Sequence, residues 1–236
     1  MRQKARFSSL LVLSLTMLLT IVGSAQAVEP NKSQLAALKP FGSFTGVWKG
    51  EGAGVDISAW QEKVQCVWGY RESDGRVSIN FHVEGGAILK VALLTYDAEK
   101  KLYRFIGKTT KDKVIHFEGT KSGSESLTLD RVGDDIGERG AADKLDRLEL
   151  KSVRLGDKVL LTFGRRKGRT LYEQYAQIEL FREGPPMTEL LAGTRCVVTE
   201  GPGLIAVSHG GKNYLVVDEP TKKVFLAHPN HFLVGK

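Results

Sequence analysis

The chain reads as a mainly β protein: an up-and-down antiparallel β-barrel of about ten strands, followed by a small hairpin-and-helix module. Three observations carry that expectation. Strand-like runs broken by turn signals recur at about ten-residue spacing from Phe41 to Glu183, the rhythm of a sandwich or barrel. Nothing in that interval has the length and periodicity of a long helix. The stretch Phe41-Gly42-Ser43-Phe44-Thr45-Gly46-Val47-Trp48-Lys49-Gly50 opens the series and reads as the first strand. Phe44, Gly46 and Trp48 then share one face, where an aromatic plugs a barrel floor and a glycine lets another backbone pass close.

Residues 1–27 have the form of a secretory signal peptide. Arg2, Lys4 and Arg6 make the basic start, Leu10 to Val22 the apolar middle, and Ala25-Gln26-Ala27 a small-x-small cleavage site. The apolar run of 13 residues falls short of the roughly 20 that span a bilayer. No cysteine follows it to take a lipid, and no later run is long and apolar enough to cross. The expectation is an exported protein, periplasmic or extracellular, with no stable membrane span after cleavage.

Losing residues 1–27 removes three positive charges, so the formal +7 becomes +4. That surplus is too small and too scattered for dedicated nucleic-acid binding. Its one dense cluster, Arg165-Arg166-Lys167-Gly168-Arg169, reads as a solvated hairpin turn. The remaining length buries a core without disulfide scaffolding. Export permits a bond between Cys66 and Cys196; two buried thiols fit the sequence as well.

In order, residues 28–40 form a short helical lead-in, with Leu35, Ala36 and Leu38 on a helix that Pro40 ends. The barrel occupies 41–183. Trp60 to Tyr70 and Arg76 to Glu84 pair across Ser73-Asp74-Gly75, and Val77, Ile79, Phe81 and Val83 alternate with polar residues. Trp60, Glu62, Cys66, Trp68 and Tyr70 share one face, as do Leu171, Glu173, Tyr175, Gln177 and Phe181, and His116 and Glu118 share one with Val114. Aromatics beside polar groups on a strand face are how a barrel pocket is built; an aliphatic interior with these residues outward is the other possibility. Gly133 to Asp143 reads as a charged loop. Asp134, Asp135 and Glu138 lack the spacing of a helix-loop-helix calcium site.

Leu35-x-x-Leu38-x-x-Phe41, Gly46-x-Trp48-x-Gly50, Leu94-x-Tyr96-Asp97 before Tyr103-x-Phe105, and the late Ile178-x-Leu180-Phe181-Arg182 resemble a bacterial lipocalin-like (calycin-type) barrel family of unknown function. The resemblance implies an up-and-down barrel and no reaction. The opening motif is also similar to haem-binding nitrobindin barrels, which hold iron through a late histidine. Arg169 to Arg182 contains none, so no cofactor is expected.

Residues 184–194 form a linker, because Gly184-Pro185-Pro186 stops the ladder. Beyond it, Cys196-Val197-Val198-Thr199, Ile205-x-Val207-x-His209-x-Gly211-Lys212-x-Tyr214 and Phe225-x-Ala227-His228-Pro229-x-x-Phe232-Leu233 resemble a YHS domain over 195–236. That resemblance implies a hairpin followed by a helix, often with a cysteine-bound metal. Here the family's cysteine places fall on Val217, Asp218 and Thr221, and one thiolate, Cys196, is not a soft-metal site. No metal is expected, although Asp218, His209 or His228 would suit a harder ion.

No nucleophile elbow, zinc-protease motif or other catalytic set is recognisable, so a non-catalytic chain is expected. The first functional expectation is a binder of a small, partly apolar ligand in the barrel, with Trp48, Trp60, Trp68 and Tyr175 lining the site. The other is an envelope structural or interaction protein, with a packed barrel and the C-terminal module as partner contact. A floor plug is the expected job of Trp48 should it not touch ligand.

Overall fold

Ten strands close into an antiparallel barrel in the computed structural model, which describes residues 28–133, 145–168 and 171–233. The segments 1–27 and 134–144, which include the signal-peptide pattern and Asp134, Asp135 and Glu138, lie outside those residues, as does Arg169. Helix α1 (Lys32–Leu38) and a 3-10 turn (Lys39–Phe44) precede strands β1 (Gly46–Gly54), β2 (Ile57–Arg71), β3 (Arg76–Glu84), β4 (Leu89–Asp97) and β5 (Leu102–Thr109). The meander continues through β6 (Val114–Gly123), β7 (Ser126–Val132), β8 (Arg147–Val153), β9 (Lys158–Lys167) and β10 (Leu171–Arg182). Each strand pairs with the next, and β10 returns to β1 with Trp48 opposite Arg182, Gly50 opposite Leu180 and Gly52 opposite Ile178. Closure leaves no free sheet edge along most of the wall.

Alternation decides which side chains enter. Val77, Ile79 and Phe81 of β3, Phe105 of β5, Ile115 and Phe117 of β6, Leu127 and Leu129 of β7, Leu148 and Leu150 of β8 and Leu161 and Phe163 of β9 are all buried. Many are fully so, which means no water-sized space adjoins them, and the middle of the barrel is solid. On β2 the inner face is Glu62, Val64, Cys66 and Trp68, as the pattern predicts. On β6 the Val114, His116 face is the outer one.

The opening differs from expectation. Helix α1 ends at Leu38, just ahead of Pro40, but Phe41 to Phe44 do not begin a strand. Proline lacks the N–H that a first helical turn leaves unused, so Pro40 sits in the first turn of the 3-10 segment that carries the chain on to Phe44. The chain then corners at Gly46, whose φ of +131° suits glycine; a Cβ there would lie 2.6 Å from Arg182 Nη1. Phe44 therefore packs below the strand, and its carbonyl accepts the Trp48 indole N–H at 2.8 Å. Leu35, Leu38, Phe41 and Phe44 are buried across this end of the barrel, and Tyr103 Oη donates to Ala37 O at 2.9 Å. Trp48, fully buried, is the floor.

Arg182 locks that floor. Its guanidinium lies 4.3 Å from the Trp48 ring centroid and donates to Thr45 O at 3.0 Å, to Gly156 O at 3.2 and 3.3 Å, and to Ser43 O. The lead-in, the first strand and the β8–β9 turn thus converge on one cation.

Within the expected linker, α2 (Met187–Ala192) is tied back by Met187 N donating to Asp157 Oδ1 at 2.6 Å. The hairpin β11 (Ile205–His209) and β12 (Lys212–Val216) follows, then α3 (Glu219–Ala227) and α4 (Pro229–Leu233). Their placement answers a defect in the barrel. β1 stops pairing with β2 at Gly46 opposite Cys66, so the last residues of β2 overhang with backbone groups unpaired on that side. Helix α3 covers the overhang, and Asp218 Oδ2 accepts the Trp68 N–H at 3.0 Å. Asp218 also caps α3, taking the Thr221 N–H at 2.9 Å in a capping box. Val198, Val216, Val224, Phe225 and Phe232 extend the barrel's buried cluster into the module.

Two outcomes follow. Arg182→Ala leaves several buried carbonyls without a donor and costs about 3 kcal/mol in denaturant unfolding; Arg182→Lys recovers only part, because an ammonium cannot reach all of them. Asp218→Ala removes a helix cap worth about 1 kcal/mol and uncovers the β2 edge, so amide exchange at Trp68 quickens. Asp218→Asn, with one acceptor oxygen in place of two, keeps the cap or the Trp68 bond but not both and falls between Ala and wild type.

Candidate functional site

The end of the barrel opposite Trp48 is open. Around it stand the β1–β2 and β9–β10 hairpins and the loops after β3 and β5. They enclose a cavity of about 270 Å³ whose apolar walls are Ile57, Ile88 and Leu145 and whose polar groups include Thr109, Arg165 and Tyr175. Mixed walls with a few convergent polar groups are the usual make-up of a small-ligand site.

Arg165 reaches this cavity because β9 alternates strictly: Val159, Leu161 and Phe163 are buried on the inner face, and Arg165 is next in that series. Its guanidinium donates to Glu173 Oε1 at 2.9 and 3.2 Å and lies 5.6 Å from the Tyr175 ring centroid. The hydrogen bond from Arg165 holds the Glu173 carboxyl below its ordinary value. Tyr175 arrives through a β-bulge. The register between β10 and β9 shifts between Gln174 and Ala176, so beyond that point Ala176, Ile178 and Leu180 are the buried residues. Gln177 and Phe181 therefore do not share the face of Glu173 and Tyr175 that strict alternation predicts.

Below the rim sits an aromatic and a carboxylate. Trp60, half-buried, donates its indole N–H to Glu62 Oε2 at 2.8 Å. Glycines make the room. A Cβ on Gly52 would strike the Trp60 ring at 2.1 Å, and one on Gly50 would come within 3.1 Å of Glu62 Cγ. Glu62 is 7% exposed. Burial raises its carboxyl above the ordinary 4.5, with the Trp60 hydrogen bond pulling weakly the other way.

Of the four residues expected to line a ligand site, Trp60 and Tyr175 stand at the open end. Trp48 lies at the floor and Trp68 beside the C-terminal module. The solid middle separates the two pairs. Arg165, Ile57, Ile88, Thr109 and Leu145 were not anticipated. Counting alternation forward from Phe163 leads to Arg165, but the others come from strand ends and loops with no period to follow.

In the C-terminal module, Val217 and Thr221 are buried, and Asp218 is committed to its cap and to Trp68. His209 packs edge-on against Phe225, and His228 Nε2 lies 3.4 Å from Tyr70 Oη. Cys196, buried, accepts the Thr199 N–H on sulfur at 3.4 Å, and Cys66 is a free buried thiol whose ionisation burial pushes up. Among the described residues no group of three or more His, Cys, Asp or Glu converges to hold a metal ion.

Glu62 sets a pH dependence of defined sign. A carboxyl whose folded value is raised stabilises fully below its unfolded value, and that contribution is lost as the pH rises through the raised value. Glu62→Gln, which keeps an acceptor for Trp60, is therefore more stable than wild type at neutral pH. The difference disappears below about pH 4, as thermal melts of the two proteins across that range will record.

No family model and no curated protein matches the chain. Among solved structures, it is similar to the crystal structure of Rv2717c from M. tuberculosis, with a TM-score of 0.40 and 16% sequence identity over 63% of this chain and 98% of that one.

Proposed function

We propose that this chain is a non-catalytic binder of a small, partly apolar molecule held at the open end of the barrel. The observation that carries the reading is the cavity of about 270 Å³ between Ile57, Ile88 and Leu145, with Arg165 and Tyr175 on its wall. Apolar walls supply the burial that drives binding, and the guanidinium and phenol orient a polar end. The size suits a compact ligand. The signal-peptide pattern of residues 1–27 supports an exported protein. The lipocalin-like and YHS-like motifs are compatible with a binding barrel carrying an accessory module that has given up its metal.

A second reading, an envelope interaction protein, draws on the solid middle of the barrel and on the module's exposed Leu204 and Leu226, at 55% and 48% exposure.

Titration with anilinonaphthalene sulfonate, an aromatic anion, followed by the probe's own fluorescence, distinguishes the two. Saturable binding that weakens about tenfold in Tyr175→Ala, or about 1.4 kcal/mol, and is unchanged in Trp48→Phe is the expected result, with native mass spectrometry of protein from its own host showing a bound small molecule. A bare mass and no saturable signal overturn the first reading. Partner capture lost in Leu204→Ser with Leu226→Ser, at unchanged probe binding, favours the second.

A further inference from the structure

The turn between β8 and β9 is held in an unfavourable shape. Arg154, Leu155 and Gly156 have φ of 54°, 54° and 92°, and a non-glycine residue in this left-handed region costs about 1 kcal/mol. Asparagine or glycine would sit there at lower cost. The chain instead places a leucine at the tip, with 77% of its surface exposed. The turn is not free to relax. Gly156 O accepts from Arg182 at 3.2 and 3.3 Å, and the space at its Cα is closed by Met187 Cγ at 3.0 Å and Ser43 Cβ at 3.2 Å. Leu155 is thus a rigid apolar knob, and a preorganised group loses little freedom on docking.

Ser43 and Met187 also border a groove of about 440 Å³, whose apolar wall includes Pro40 and Leu191. Knob and groove are neighbours on one patch of the closed end. Two charges of opposite sign accompany them. Arg154, beside the knob, is exposed, and among the described residues its charge is felt by Glu179 of the same chain without a close ion pair. Glu125, on the groove, accepts from the Ser43 hydroxyl at 3.3 Å and makes no ion pair among the described residues.

We propose that two copies of this chain associate through this patch, each placing Leu155 in the other's groove at Pro40 and Leu191, with Arg154 of each facing Glu125 of the other. A two-fold contact requires one surface to carry both halves of every interaction, since residue i meets j and j meets i. The patch has knob and hole, cation and anion. A different partner would need only one member of each pair, which is why a second copy is the occupant. The contact lies at the opposite end from the ligand cavity and is independent of it.

Sedimentation equilibrium of the purified protein over a concentration series tests this. A monomer–dimer equilibrium is expected, weakened at least tenfold by Leu155→Asn, which tolerates the left-handed backbone and so keeps or raises the melting temperature of the monomer. Arg154→Glu and Glu125→Arg each weaken association, and the two together restore it. A monomer at every concentration overturns the proposal. So does a dimer indifferent to Leu155→Asn, or a double charge reversal that fails to recover what the single ones lose.

Discussion

Arg182 is the constraint on which the rest of the molecule depends. A guanidinium with its side chain 5% exposed is costly to bury, and burial draws its ionisation downward. It is tolerated because its donors meet carbonyls from Ser43, Thr45 and Gly156 and its face meets Trp48. Those groups belong to the lead-in, the corner before β1 and the β8–β9 turn, while Arg182 itself ends β10. A barrel must bring its last strand back to its first, a contact between residues distant in sequence and entropically slow to find. The cation makes that closure specific: a one-residue slip of β10 against β1 would turn Arg182 to the outer face and leave the carbonyls orphaned. The left-handed turn at Arg154 and the 3-10 lead-in are shapes the chain holds in order to present those carbonyls.

Much of this was legible from the residues alone, and what was not has physical causes. Val77, Ile79 and Phe81 alternate without interruption, so β3 and its inner face could be written down directly. Trp60, Glu62, Cys66 and Trp68 share a face as their spacing requires. The same rule misled at Phe44, because a glycine corner at Gly46 intervenes and period-2 reasoning does not survive a change of secondary structure. It misled again at Gln177 and Phe181, where one extra residue in the ladder exchanges the two faces; nothing in Gln174-Tyr175-Ala176 announces a bulge. Arg165 was hidden by its company. In a run of basic residues each looks solvated, yet strand geometry sends one inward and its neighbour outward. The apolar walls at Ile88 and Leu145 come from loops, whose positions are fixed only by the closed barrel.

The C-terminal module shows how the demand for backbone partners shapes a fold. β2 is longer than β1, and its overhanging amides would otherwise face solvent at an exposed edge. Asp218 serves its own helix and the Trp68 amide together, so one carboxylate joins local capping to long-range docking. Ahead of and within the first turn of α3, Val217 and Thr221 fill buried space and Asp218 bonds to backbone. A metal that holds a small module together from within is one solution to having too little core. Sharing the core of a larger neighbour, through Val198, Val224 and Phe225, is another.

The solid middle of the barrel has a further meaning. Phe105, Phe117 and Phe163, fully buried between the two ends, act as a bulkhead. A change of shape at the open rim has no cavity through which to reach the floor, and a substitution at the floor has none through which to reach the rim. The two ends can therefore acquire separate duties and drift separately in evolution while sharing a single wall.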